Sequence, residues 1–176
     1  MIQGRKNPRL RGYDYRTNGD YFVTICTQDY RTNLCRITQD GQVILSIQGE
    51  ICQKWIELLT QHYQDISIPV CCIMPNHIHL ILRVEHPIAQ EDAETIKAYP
   101  RLYDYIGWLK YNITKEIPKD IDFEDQPFFQ RSFYDHIIRN AQDYADIEGK
   151  ILSNPSQWKQ DCYHPDILFA SGKLSF

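Results

Sequence analysis

The sequence predicts an α+β domain: an antiparallel sheet with helices on one face and an added C-terminal helix. Three observations predict it. Several short stretches of β-branched and aromatic residues read as strands, two longer stretches carry apolar residues at helical spacing, and the two kinds alternate along the chain. The resulting order is strand, helix, strand, strand, helix, strand, then one further helix. The first six elements make the ferredoxin-like arrangement.

The first strand is read at 21–28, YFVTICTQ, from its alternation of β-branched and aromatic types. A weaker hairpin follows at 34–37 and 42–45, with Asp40-Gly41 as its turn. From Ser46 the period changes: Ile47, Ile51, Trp55, Leu58, Leu59 and His62 mark an amphipathic helix whose Trp and Leu stripe faces the core. Residues 66–74, ISIPVCCIM, form the next strand, and Pro69 inside it requires an edge position or a bulge. Pro75-Asn76 is a turn, and His77 to Val84 is a buried strand pairing back as a hairpin. Residues 85–100 read as a mobile loop. Helical spacing returns at 101–116 and ends before Pro118. After an acidic loop at 119–126, residues 128–138 are assigned to the last strand. Asn140 is the N-cap of a final helix from Ala141 to Ser153, with Asp143 as capping-box partner and Asn154-Pro155 as its end.

The 176 residues suffice for a single domain over 1–176 with its own core. No run approaches the roughly 20 apolar residues a membrane span needs, and the N-terminus lacks the apolar stretch of a secretory signal. The six cysteines show no CxxC spacing, and Cys26, Cys71 and Cys72 fall within strands, which points to reduced thiols and a cytoplasmic protein. The net charge of −4 is unevenly spread. Residues 1–16 form a basic arm carrying Arg5, Lys6, Arg9, Arg11 and Arg16 against Asp14 alone. With Tyr13 and Tyr15 the arm can follow a phosphate backbone and stack on bases, or it can be a solvated terminus. The helix at 101–116 mixes Lys110 and Lys115 with Tyr103, Trp108 and Tyr111, a composition that suits a nucleic-acid face as well as an ordinary amphipathic helix.

The chemistry concentrates at His77 and His79. Residues i and i+2 of a strand project from one face, so the two imidazoles form a two-nitrogen seat for a divalent ion; the alternative is two ordinary strand histidines. No glutamate general base adjoins the pair as in zinc hydrolases.

The blocks RLRGYDY, GDYFVTICTQ, PNHIHLIL, FFQRSFYDHIIRN, ILSNPSQW and QDCYHPD, in this order over residues 8–166, resemble the REP-associated branch of the single-tyrosine HUH transposases. The resemblance implies a protein that cuts and joins single-stranded or hairpin DNA, as a monomer or homodimer, with Mg²⁺ or Mn²⁺ on the two histidines. It implies a third ligand at Asn154, four residues after the nucleophile. In the family the nucleophile is a helix-borne tyrosine in a Tyr-Ile-x-x-Asn-Pro run. Here that run is Lys150-Ile151-Leu152-Ser153-Asn154-Pro155, and the tyrosine position holds Lys150. An ammonium cannot form a phosphotyrosine, though it can pair with a phosphate. Tyr144 on the same helix and Tyr134 on the preceding strand are the substitutes to weigh. Arg131 and Arg139 match a further block of the family and can hold phosphates. Two readings follow: a strand-transferring endonuclease of the HUH type, or a DNA-hairpin-binding protein derived from one that no longer cuts.

Overall fold

The computed structural model describes residues 10, 12–87, 98–118 and 126–174. The outer part of the basic arm, with Arg9 and Arg11, lies outside these residues, as do 88–97 and 119–125 of the two loops.

Four strands make the main sheet: β1 (Gly19–Cys26), β4 (Ile66–Ile73), β5 (His77–Val84) and β6 (Tyr134–Ile138), in the order β4-β5-β1-β6 with every pair antiparallel. Two short strands, β2 (Cys35–Ile37) and β3 (Val43–Leu45), form a separate hairpin. The helices are α1 (Ile47–His62), α2 (Leu102–Glu116), α3 (Ala141–Ser153) and a short α4 (Pro165–Ala170). This is the ferredoxin-like α+β arrangement.

Alternation along the strands divides the sheet into two faces. Tyr21, Val23 and Ile25 of β1 and Ile78, Leu80 and Leu82 of β5 are fully buried in one cluster with α1 and α2. The other face is covered by α3, whose Ile147 and Ile151 pack on Val70 and Ile81. Burying an isoleucine stabilises by about 1.5–3 kcal/mol, so this small seam is what holds α3 on the sheet. Because β5 is central and covered on both faces, it reads as an almost unbroken apolar run.

The ends of α1 are set locally. Ser46 accepts a hydrogen bond from the Gly49 amide, and a Cβ on Gly49 would lie 2.1 Å from the Leu34 carbonyl oxygen, so only glycine fits where the helix meets that chain. Pro69 lies on the outer strand β4, where the register shifts between Ser67 and Val70, as its missing N–H demands.

Three details depart from the sequence reading. The last strand begins at Tyr134, not 128: Phe128 and Phe129 are buried, and Phe129 makes only an isolated bridge to Thr27. The Asp143 carboxylate does not close a capping box on the Asn140 amide; it accepts from His136 Nε2 at 3.0 Å and from the Arg139 amide at 3.2 Å. After α3 the chain continues into a 3-10 turn, Pro155–Gln160, and α4, both too short to leave a periodic trace. The six cysteines are free, with Cys71 exposed on the edge strand.

Candidate metal centre

His77 and His79 open β5, and the turn before them orients both rings. In the turn the Met74 amide donates to the His77 carbonyl at 2.8 Å, and the fully buried Asn76 lies beneath it. The Asn76 amide nitrogen donates to the carbonyls of Tyr163 at 2.7 Å and Tyr30 at 3.3 Å. Its oxygen is thereby turned to His77 Nδ1, 2.9 Å away. An amide oxygen only accepts, so Nδ1 carries the proton and Nε2 keeps its lone pair. Tyr30 is itself held at φ 53°, a left-handed conformation rare for a bulky residue, and its ring stacks on Tyr163. On His79, Nδ1 lies 2.9 Å from the Thr24 hydroxyl. A hydroxyl can donate or accept, so Thr24 accommodates either tautomer of His79.

The two Nε2 atoms are 3.0 Å apart. Asp161, brought in by the turn after Pro155–Gln160, places Oδ2 3.7 Å from His77 Nε2 with its side chain only 6% exposed. The ligand atoms of His77, His79 and Asp161 all lie within 4.8 Å of one another, the spacing a divalent ion can use. Asn154, at the end of α3, has its amide 3.5 Å from His77 Nε2 through the nitrogen. Rotation of the amide presents the oxygen instead.

Burial sets the electrostatics. His77 is fully buried and His79 is 9% exposed. Burial, then its neighbour His79, holds His77 well below the ordinary range, and burial, then the Lys150 charge, pushes His79 down to about 4. Both rings are therefore neutral at pH 7, as ligands must be. The linkage sign follows. Protons bind the unfolded chain near 6.5 but the folded one only near 4, so His79 contributes full stability above about pH 6.5 and loses it as pH falls toward 4. The metal-free protein is expected to lose about 3 kcal/mol over that window from His79 alone. Urea unfolding in a chelator at several pH values measures it, and a His79→Gln variant with the same slope would refute the assignment.

The remaining sequence candidates are dispersed. Lys150 is exposed on α3, close enough for its charge to act on His79, one turn before Asn154. Tyr144 lies nearer the start of α3, against the small apolar seam and 5.8 Å from the Arg83 guanidinium, four residues along β5 from His79. Tyr134 is half exposed on β6. Arg131 and Arg139 are exposed. Tyr13 and Tyr15, expected as stacking residues of the arm, are instead packed inward: Tyr15 is 6% exposed, and Tyr13 hydrogen-bonds Tyr21 at 3.2 Å. The apolar core competes with solvent for their rings and wins. Lys110, expected on a DNA face, turns inward to donate to the carbonyls of Gln130 and Arg131, and burial lowers its pKa to about 8. Asp161, Asn76 and Thr24 are the members of the site that sequence reasoning missed. Asp161 lay inside the quoted QDCYHPD block, but nothing in its spacing tied it to residue 77.

No profile of a known protein family matches the chain. A Haemophilus influenzae protein described as uncharacterised is 26% identical over 181 residues, spanning 94% of this chain and 96% of its own. A second protein of that organism, provisionally named REP-associated tyrosine transposase, is 25% identical over 171 residues, spanning 88% of this chain and 85% of its own. A solved REP-associated tyrosine transposase, bound to a REP hairpin, shares the fold with a TM-score of 0.56 at 20% identity over 85% of this chain and 73% of that one. Along most of its length the chain is similar in sequence to a protein provisionally named REP-associated tyrosine transposase, and it shares the fold of a solved one.

Proposed function

We propose that this protein binds single-stranded or hairpin DNA through a HUH-type divalent-metal site on His77, His79 and Asp161, with Mg²⁺ or Mn²⁺ as the ion, and that it does not form a covalent DNA intermediate. The observation that carries the reading is the buried His77–His79–Asp161 cluster with Asn154 and Lys150 presented over it from α3. The 3.0 Å spacing of the Nε2 atoms brings both imidazoles within reach of one ion. A carboxylate as third donor favours a hard cation. When bound, such an ion polarises a phosphoryl oxygen. The chain's own residues do the rest: Asn76 and Thr24 fix the rings, and the Lys150 ammonium offers a phosphate a point charge.

The relative solved with a REP hairpin supports a hairpin ligand. The second reading, an active endonuclease and strand transferase, requires another residue to supply the attacking oxygen. Binding is tested by titrating a labelled DNA hairpin, the same sequence as duplex, and a single strand, each over a range of salt. Preference for hairpin or single strand over duplex is expected. Deleting residues 1–9, which removes Arg5, Lys6 and Arg9 but spares the buried Tyr15, is expected to weaken binding and flatten the salt dependence, because fewer counterions are released. Equal affinity for duplex, or an unchanged salt slope in the truncated protein, would count against the respective parts of the reading.

A further inference from the structure

We propose that Tyr134 is a base-stacking platform that seats the nucleobase adjoining a phosphate held at the histidine pair. The proposal rests on the DNA-binding reading above. Tyr134 pairs with Thr24 across β6 and β1, and Thr24 pairs with His79 across β1 and β5. The three share one row and one face of the sheet. Two strand spacings put the Tyr134 backbone about 10 Å from that of His79, a separation that a phosphate and the base beside it can bridge.

That part of the face is open. α3 lies over β4 and β5, seated by Ile147 and Ile151 on Val70 and Ile81. At β6 the Tyr134 side chain remains 50% exposed. Its ring meets Phe22 edge to face, 6.1 Å between centroids at 68°, and Phe22 in turn packs 5.2 Å from the His79 ring. An edge-to-face contact leaves at least one face of the tyrosine ring free of Phe22. Its hydroxyl has no hydrogen-bond partner among the described residues. The ring leans toward Phe22, which lies two pairs further from His77 than Thr24 does, so it lines the approach to the ligands without entering their cluster.

The charge around this shelf suits a polyanion. Arg131 precedes the start of β6 and Arg139 follows its end, both exposed, and Lys150 is exposed on α3 with its charge acting on His79. Asp143, an acidic neighbour, is committed to His136. An exposed aromatic ring on a sheet face, with exposed cations flanking its strand, is a combination that holds single-stranded nucleic acid: the cations take the phosphates, and the ring takes a base without regard to sequence.

The test compares wild type, Tyr134→Ala and Tyr134→Phe for binding to single-stranded oligothymidylate and to an abasic deoxyribose-phosphate strand of the same length, with thermal unfolding to check the fold. Expected on oligothymidylate is a loss of roughly 5- to 150-fold for Tyr134→Ala and wild-type affinity for Tyr134→Phe, with all three proteins within about twofold on the abasic strand. Unchanged binding by Tyr134→Ala, an equal loss on both strands, or a Tyr134→Phe variant as weak as alanine would overturn the stacking role. Wild type that binds a DNA hairpin yet does not discriminate oligothymidylate from the abasic strand overturns the platform alone; wild type that binds no DNA overturns both readings. A covalent adduct that Tyr134→Phe abolishes would make Tyr134 a nucleophile instead.

Discussion

Lys150→Tyr is expected to convert a protein that forms no covalent DNA adduct into one that does, in the presence of Mn²⁺. The argument runs through α3. Residues 150 and 154 are one helical turn apart and share a face. Asn154 reaches to 3.5 Å of His77 Nε2, and the Lys150 charge is felt at His79, so a side chain at 150 is carried to the mouth of the His77–His79–Asp161 cluster. A tyrosine there would place an oxygen nucleophile beside any phosphate held at the site. In the step, the phenol oxygen bonds to phosphorus, the phosphorus–oxygen bond to one deoxyribose breaks, and the phenol proton goes to water while the departing oxygen gains one. The bond energy is kept in the phosphotyrosine. Lysine offers no oxygen for this, so the gain should be orders of magnitude. The readout is labelled DNA that stays with the protein under denaturing conditions. A band from wild type would mean another nucleophile, Tyr134 or Tyr144. No band from Lys150→Tyr, with DNA and metal binding intact, would show that more than one group is missing.

His77→Ala is expected to abolish Mn²⁺ binding measured by titration calorimetry. It removes the ligand that lies within 3.7 Å of His79, Asp161 and Asn154 alike. Asn76→Ala tests the support under it. Asn76 touches no ion in this arrangement, yet it fixes the His77 proton on Nδ1 through an amide clamped by two carbonyls. Losing such an orienting partner typically costs about 10- to 100-fold in metal affinity. Mn²⁺ isotherms unchanged in His77→Ala would remove the metal reading, whereas an unaffected Asn76→Ala would remove only the orienting role.

Much of the fold was determined by local sequence. The strand and helix periods, the N-cap at Asn140, the Pro75-Asn76 turn and the His-x-His spacing each act over a few residues, so each is legible without knowing what packs where. The two histidines on one face of β5 needed nothing more than the period of a strand. What the tertiary structure alone decided is which distant groups meet that face. Asp161 reaches His77 because a short 3-10 turn redirects the chain after α3, and six residues of such a turn leave no periodic signal. Tyr13, Tyr15 and Lys110 have the composition of a DNA surface but are drawn inward, because aromatic area gains more from the core than from solvent and the lysine finds two carbonyls to bind. Tyr134, with no such partner inside, was left half exposed on the edge strand, on the face that carries the histidines.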